Sequence, residues 1–139
     1  MAMRWFNGSE RKEEVWDEAI QWPIGDIEAA QRIRQICRAA ADSAEKIGGV
    51  AGRPAINNRK SDFERDRRDT ERYERAARAA MEIVMKVSDD LLRDAAVRQI
   101  VDLCQTAKDT KTAKILFRAI QSASIREAVL KEHPALQHE

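Results

Sequence analysis

The sequence predicts an all-α fold, a single-domain bundle of five or six helices with one long, partly exposed helix. Three observations predict it. Hydrophobic residues make up 43% of the 139 but aromatics only 5%, so the core must come from Ala, Ile, Leu, Val and Met, which pack well between helices. Apolar residues recur at three-and-four spacing along most of the chain, the period of a helix with one buried face. Helix boundaries are also marked, with Ser or Asp before the periodic runs and Gly or Pro after them. A chain of this length builds one domain, 1–139, and is too short for two of ordinary size.

Residues 1–25 are expected to form a Trp-rich N-terminal helix and arm that carries all three tryptophans, Trp5, Trp16 and Trp22. Ser9 is the expected cap of its helix. Trp22-Pro23-Ile24-Gly25 should end that helix after about Gln21, because proline lacks a backbone donor and disfavours helix in the residue before it. Asp26 is the expected cap of the second helix, whose stripe is Ile27, Ala30, Ile33, Cys37, Ala40, Ala41 and Ala44, with Ile36 and Ile47 at the margin. Gly48-Gly49 should stop it. Residues 48–60 read as a flexible loop, since Gly52, Pro54 and Asn57-Asn58 bring turn chemistry and little to bury.

The long helix, 61–87, opens on a capping box, Ser61-Asp62-Phe63-Glu64. It changes character along its length, from the charged stretch Asp62–Arg78 to the apolar run that includes Met81, Ile83, Val84 and Met85. Its second half should be buried, while its first half packs by a narrow face through Phe63, Thr70, Tyr73 and Ala77. Ser88 should start the next helix, through Leu91, Leu92, Ala95, Ala96, Ile100, Leu103 and Cys104, widened by Val97 and Val101 into the most buried element. Asp109 or Thr110 opens a helix through Ile115, Leu116, Phe117 and Ile120. Ser124-Ile125-Arg126-Glu127 reads as a capping box for a last helix, which Pro134 stops.

The 25 Lys and Arg nearly cancel the 24 Asp and Glu, and no segment hides a large surplus: residues 59–78 carry 8 basic and 6 acidic groups. This argues against nucleic-acid binding driven by bulk charge, though not against local stripes. Cys37 and Cys104 fall on apolar faces, as buried thiols do. No apolar run reaches membrane-spanning length and no signal peptide is recognisable, so a cytoplasmic protein without membrane partners is expected.

Three surfaces are binding candidates. Arg65, Arg68, Arg72 and Arg75 share one side of the long helix, where guanidinium forks suit phosphates, although Glu64, Glu71 and Glu74 stand where they would pair with arginines one turn on. Lys111, Lys114 and Arg118 form a basic stripe with no acid between Asp109 and Glu127, and it is complementary to the acidic first helix. Trp5 and Trp16 supply large aromatic area, which either packs on the bundle or makes a partner or dimer contact.

The chemistry inventory is short. His133 and His138 are the only histidines, so no metal site or cofactor is expected, and no glycine loop has the phosphate-cradling form. Arg126 and His133, with six residues between them, resemble the arginine–histidine motif of the small all-helical HEPN ribonucleases. That resemblance covers eight residues and implies metal-independent RNA cleavage at a dimer interface. Glu127 stands where the family has a polar residue, and Pro134 ends the helix directly after the histidine. The function expected is therefore a non-enzymatic helical interaction or regulatory protein binding another protein, homo-oligomerisation included. A HEPN-like ribonuclease and a nucleic-acid binder using the Arg and Lys faces are the alternatives.

Overall fold

Alanine decides how closely the two longest helices approach. In the computed structural model, α1 (Asp26–Ala51) and α2 (Lys60–Val84) pack through Ala29, Ala40 and Ala44 on one side and Ala76, Ala77 and Ala80 on the other, all buried. The structure describes residues 14–51 and 60–137, with side chains in α1 as far as Gly49 and in α2 from Glu64. Helices α3 (Asp90–Thr106), α4 (Thr110–Ala119) and α5 (Ala123–Glu132) complete an all-helical bundle, with 3-10 turns at Val15–Asp17 and Pro134–Gln137. Among the described residues there is no strand. The expected helical fold is what the structure shows, but α1 is as long as the long helix singled out from the sequence.

Helix α3 lies at the centre, packed against α1, α2, α4 and α5. Ala96, Val97, Ile100, Val101, Leu103 and Cys104 are all buried, so the two valines are part of its core face and not a margin. Asp89, not Ser88, caps it, accepting from the Leu92 amide at 2.9 Å. Its C-terminal end closes through Lys108, whose φ of 62° turns the chain so that the Asp109 amide reaches the Cys104 carbonyl at 2.8 Å. Asp109 then caps α4, as expected, and also accepts a hydrogen bond from the Tyr73 hydroxyl at 2.6 Å. The Tyr73 phenol is pushed well above its ordinary pKa, by burial first and by that acceptor second.

Several boundaries differ from the sequence expectation. Residues 18–21 are not helical, and the described part of the first element is a single 3-10 turn. Helix α1 runs through Gly48-Gly49 to Ala51. Gly48 is there for contact: a Cβ at this position would fall deep inside van der Waals distance of the Thr106 carbonyl oxygen, whereas one on Gly49 meets open space. Ser122, not Ser124, caps α5, and the buried Asp94 accepts from the Ser122 and Gln121 amides at 2.8 and 3.2 Å. The stripe of α1 is rotated, with Ile36 and Ser43 inside, Cys37 at the edge and Ile27 facing out. The Ser61 capping box and Phe63 lie outside the residues whose side chains are described.

The division of α2 stands as read from sequence. From Tyr73 onwards the helix buries residues every three to four positions, while its earlier part is mostly exposed apart from Asp69.

Candidate functional site

The predicted arginine ladder is split in two. Arg72 and Arg75 turn toward the N-terminal strap, where acidic residues stand over α2. The Arg72 guanidinium donates to both Glu14 carboxylate oxygens, at 2.8 and 3.1 Å, and to the Ser43 hydroxyl. It also lies 5.2 Å from the centre of the Trp16 ring. The Ser43 hydroxyl in turn donates to Asp69 at 3.1 Å, so a polar chain runs from the N-terminal segment through α2 into the α1–α2 interface. Arg75 pairs with Asp17, and Arg32 of α1 donates to the Ala19 carbonyl at 3.0 Å. Hydrogen bonding to Glu14 raises the Arg72 pKa further above its already high value, so this clamp stays charged. Arg65 and Arg68 remain on the exposed side of α2.

Among the described residues, the acidic Glu14 and Asp17 thus meet α2 and Glu18 meets Arg32, not the basic stripe of α4. Lys111 and Arg118 are exposed and Lys114 half-buried, on the outer side of α4 with Ile115. Trp16 is buried in its own bundle, and Trp5 lies outside the described residues.

One end of the bundle is held by Asp26. Its carboxylate accepts from the Ser88 amide, the Ser88 hydroxyl and the Asp89 amide at 2.9–3.0 Å, so it secures the α2–α3 turn and not the start of its own helix. These hydrogen bonds, the Ser88 amide first, hold the Asp26 pKa below its ordinary 3.8. The chain segments that meet at this junction carry Trp22, Ile27, Met85 and Leu91, which are 51%, 71%, 79% and 66% exposed. The sequence periodicity predicts Ile27 and Leu91 in buried stripes, and the structure corrects both. Each lies opposite the core face of its helix, because the true stripes centre on Ile33 and Ile36 in α1 and on Ile100 and Cys104 in α3.

Arg126 and His133 take separate partners. Arg126 donates to the Phe117 and Ile120 carbonyls at 3.3 and 3.1 Å and stacks on the Phe117 ring at 4.5 Å, closing the C-terminal end of α4. His133 caps the end of α5, and its Nε2 lies 2.8 Å from Asp102 Oδ1 on α3. Glu132, one residue before, pairs with Arg98 at 3.2 Å. Asp102, Glu132 and His133 bring one ligand atom each to within 4.8 Å of one another. This cluster was not legible in the sequence, because Asp102 and His133 are 31 positions apart and meet only where two helices pack.

Beside it an open groove of about 290 Å³ runs between α1 and α3, lined by Arg34, Cys37, Arg38, Gln99, Asp102 and Thr106 among others. Neither Arg34 nor Arg38 has an ion-pair partner among the described residues. The Cys37 thiol is pushed up to about 12 by burial, with Cys104 and Asp102 adding to the effect, which disfavours its thiolate form. Cys104 is held at about 11 for the same leading reason. No described helix is long and apolar enough to cross a membrane. No protein-family model, no curated protein and no solved structure matches the chain.

Proposed function

We propose that the chain is a non-enzymatic helical interaction protein whose partner is a protein, a second copy of itself in the first instance. The observation that carries this reading is the exposure of large apolar residues in the chain segments that Asp26 joins. Of the five large hydrophobic side chains most exposed among the described residues, four lie within about four positions along the chain of Asp26 or of Ser88, which Asp26 holds. Water is a poor solvent for such a surface, and a partner that covers it gains the hydrophobic term. A near-neutral chain, at +1, lets two copies approach without net repulsion. The exposed Glu28 and Lys86 beside the apolar residues offer both signs to a two-fold related copy.

The nucleic-acid alternative loses half of its arginine ladder to the strap. The ribonuclease alternative draws no support from the side-chain placement, since the Arg126 guanidinium is engaged by α4 carbonyls and His133 by Asp102.

Sedimentation velocity over a concentration series tests the proposal, with wild type compared against the double variant Ile27→Asp/Leu91→Asp. Both positions are exposed, so the variant should fold normally. A wild-type dimer that the double variant fails to form is the expected result. A wild type that sediments as a monomer throughout the series would remove self-association.

A further inference from the structure

We propose that Asp102, Glu132 and His133 form a binding site for a divalent transition-metal ion, zinc being the metal that this donor set suits best. Imidazole nitrogen and carboxylate oxygen are both donors that zinc takes, and three protein ligands leave it a coordination position open to water. Magnesium and calcium favour all-oxygen sites, which makes a histidine-containing set a poor one for them. Around a zinc ion the bonds are roughly 2.0–2.2 Å long, so neighbouring ligand atoms stand roughly 3–3.5 Å apart. The three ligand atoms here already lie within 4.8 Å of one another, so loading needs side-chain adjustment and no backbone rearrangement.

The backbone under the site is fixed from both sides. Asp102 sits on the central helix between the buried Val101 and Leu103. The His133 amide donates to the Val129 carbonyl at 2.8 Å, and the His133 carbonyl accepts from the amide of the buried Leu136 at 3.0 Å. The site therefore does not depend on a loose chain end. Arg98 is placed to orient the Glu132 carboxylate, as outer partners of metal ligands do. The C-terminal end of α5, where carbonyls lack intrahelical partners, adds a partial negative charge beside the ion. The side chains of Asp102 and Glu132 are 47% and 50% exposed, so an ion held there would be open to solvent. Asp102 also belongs to the wall of the α1–α3 groove, where Arg34 and Arg38 would favour an anionic further ligand.

Isothermal titration of the full chain with zinc alone, and visible absorption on titration with cobalt(II), test this site. One equivalent bound with micromolar affinity is expected, with cobalt d–d bands showing a nitrogen–oxygen environment. His133→Ala and Asp102→Asn should each weaken binding by roughly 100-fold, since each removes one of the few ligands. The metal-free variants should keep the wild-type circular dichroism spectrum. Should His133→Ala fail to fold, Asp102→Asn, which conserves shape, carries the test alone. Absence of zinc binding, or retention of full affinity in Asp102→Asn, would each overturn the proposal.

Discussion

Arg72 shows how one side chain joins three parts of the molecule. It holds Glu14 by a two-point hydrogen-bonded pair, covers the Trp16 ring, and donates to Ser43, which in turn engages the buried Asp69. Both members of the Arg72–Glu14 pair are less than a third exposed, at 27% and 23%, so solvent screens it only partly. Charge-assisted hydrogen bonds of this kind contribute about 1.5–3 kcal/mol. Replacing Arg72 by Met keeps much of the stem that packs on Trp16 but strips the donors from Glu14 and Ser43. Arg72→Met should therefore lose about 2 kcal/mol in urea unfolding, with the emission of Trp16 shifted to the red as the strap detaches. An unchanged unfolding midpoint would show that the strap is held by its apolar contacts alone.

Asp26 gives a pH signature with a definite sign. Its folded pKa lies below the ordinary 3.8 because the Ser88 and Asp89 amides and the Ser88 hydroxyl donate to its charged form. A group depressed by folding contributes stability above its unfolded pKa, and that contribution is lost as pH falls through the lower, folded value. The difference in urea midpoint between wild type and Asp26→Asn should accordingly be constant at neutral pH and close once the pH drops below 3.8. A gap that persisted undiminished in strong acid would mean that the carboxylate charge plays no part in holding the α2–α3 turn.

At the scale of the elements, periodicity and punctuation made most of the helices legible, and cross-chain contacts explain where they did not. The charged first half and buried second half of α2, the dominance of α3 in the core and the Asp109 cap followed from local sequence. The phase of α1 did not, because its buried face includes Ser43, a polar residue whose hydroxyl is satisfied across the helix interface by Asp69 and Arg72. Ser124 looked like a cap, yet Ser122 takes the role, since Asp94 of α3 holds the backbone just before it. The Asp102–His133 contact was invisible for the same reason, being made between helices. Gly48-Gly49 is the sharpest case: two glycines read as a helix stop, but one serves a close helix approach and the other is free to change. Gly48→Ala should destabilise by about 1–3 kcal/mol, as overpacking does, since its Cβ meets the rigid Thr106 carbonyl. Gly49→Ala, with nothing within 4 Å, should instead stabilise the helix by up to about 1 kcal/mol. Thermal denaturation of the two variants should move in opposite directions, and a common sign would disprove the close approach of α1 to α3.

For the whole molecule, the consequence of the apolar end is a stability that depends on concentration. If two copies bury Trp22, Ile27, Met85 and Leu91 against each other, the folded state is a dimer and unfolding releases two chains. Mass action then favours the native state as protein is added. With an unfolding entropy typical of a chain this size, Tm should rise by roughly 2–3 °C for each tenfold increase in concentration. Ile27→Asp/Leu91→Asp places a charge at two points of the surface, opposite the core face of each helix, where it costs nothing in the monomer but must be desolvated in the dimer. The double variant should therefore show one Tm at all concentrations, meeting the wild-type value at the dilute end of the series. Agreement at that dilute end separates loss of association from damage to the bundle, because a misfolded variant would melt lower even where the wild type is monomeric. A wild-type Tm independent of concentration, with a hydrodynamic mass of one chain, would leave the apolar end to a different protein partner and end the case for a homodimer.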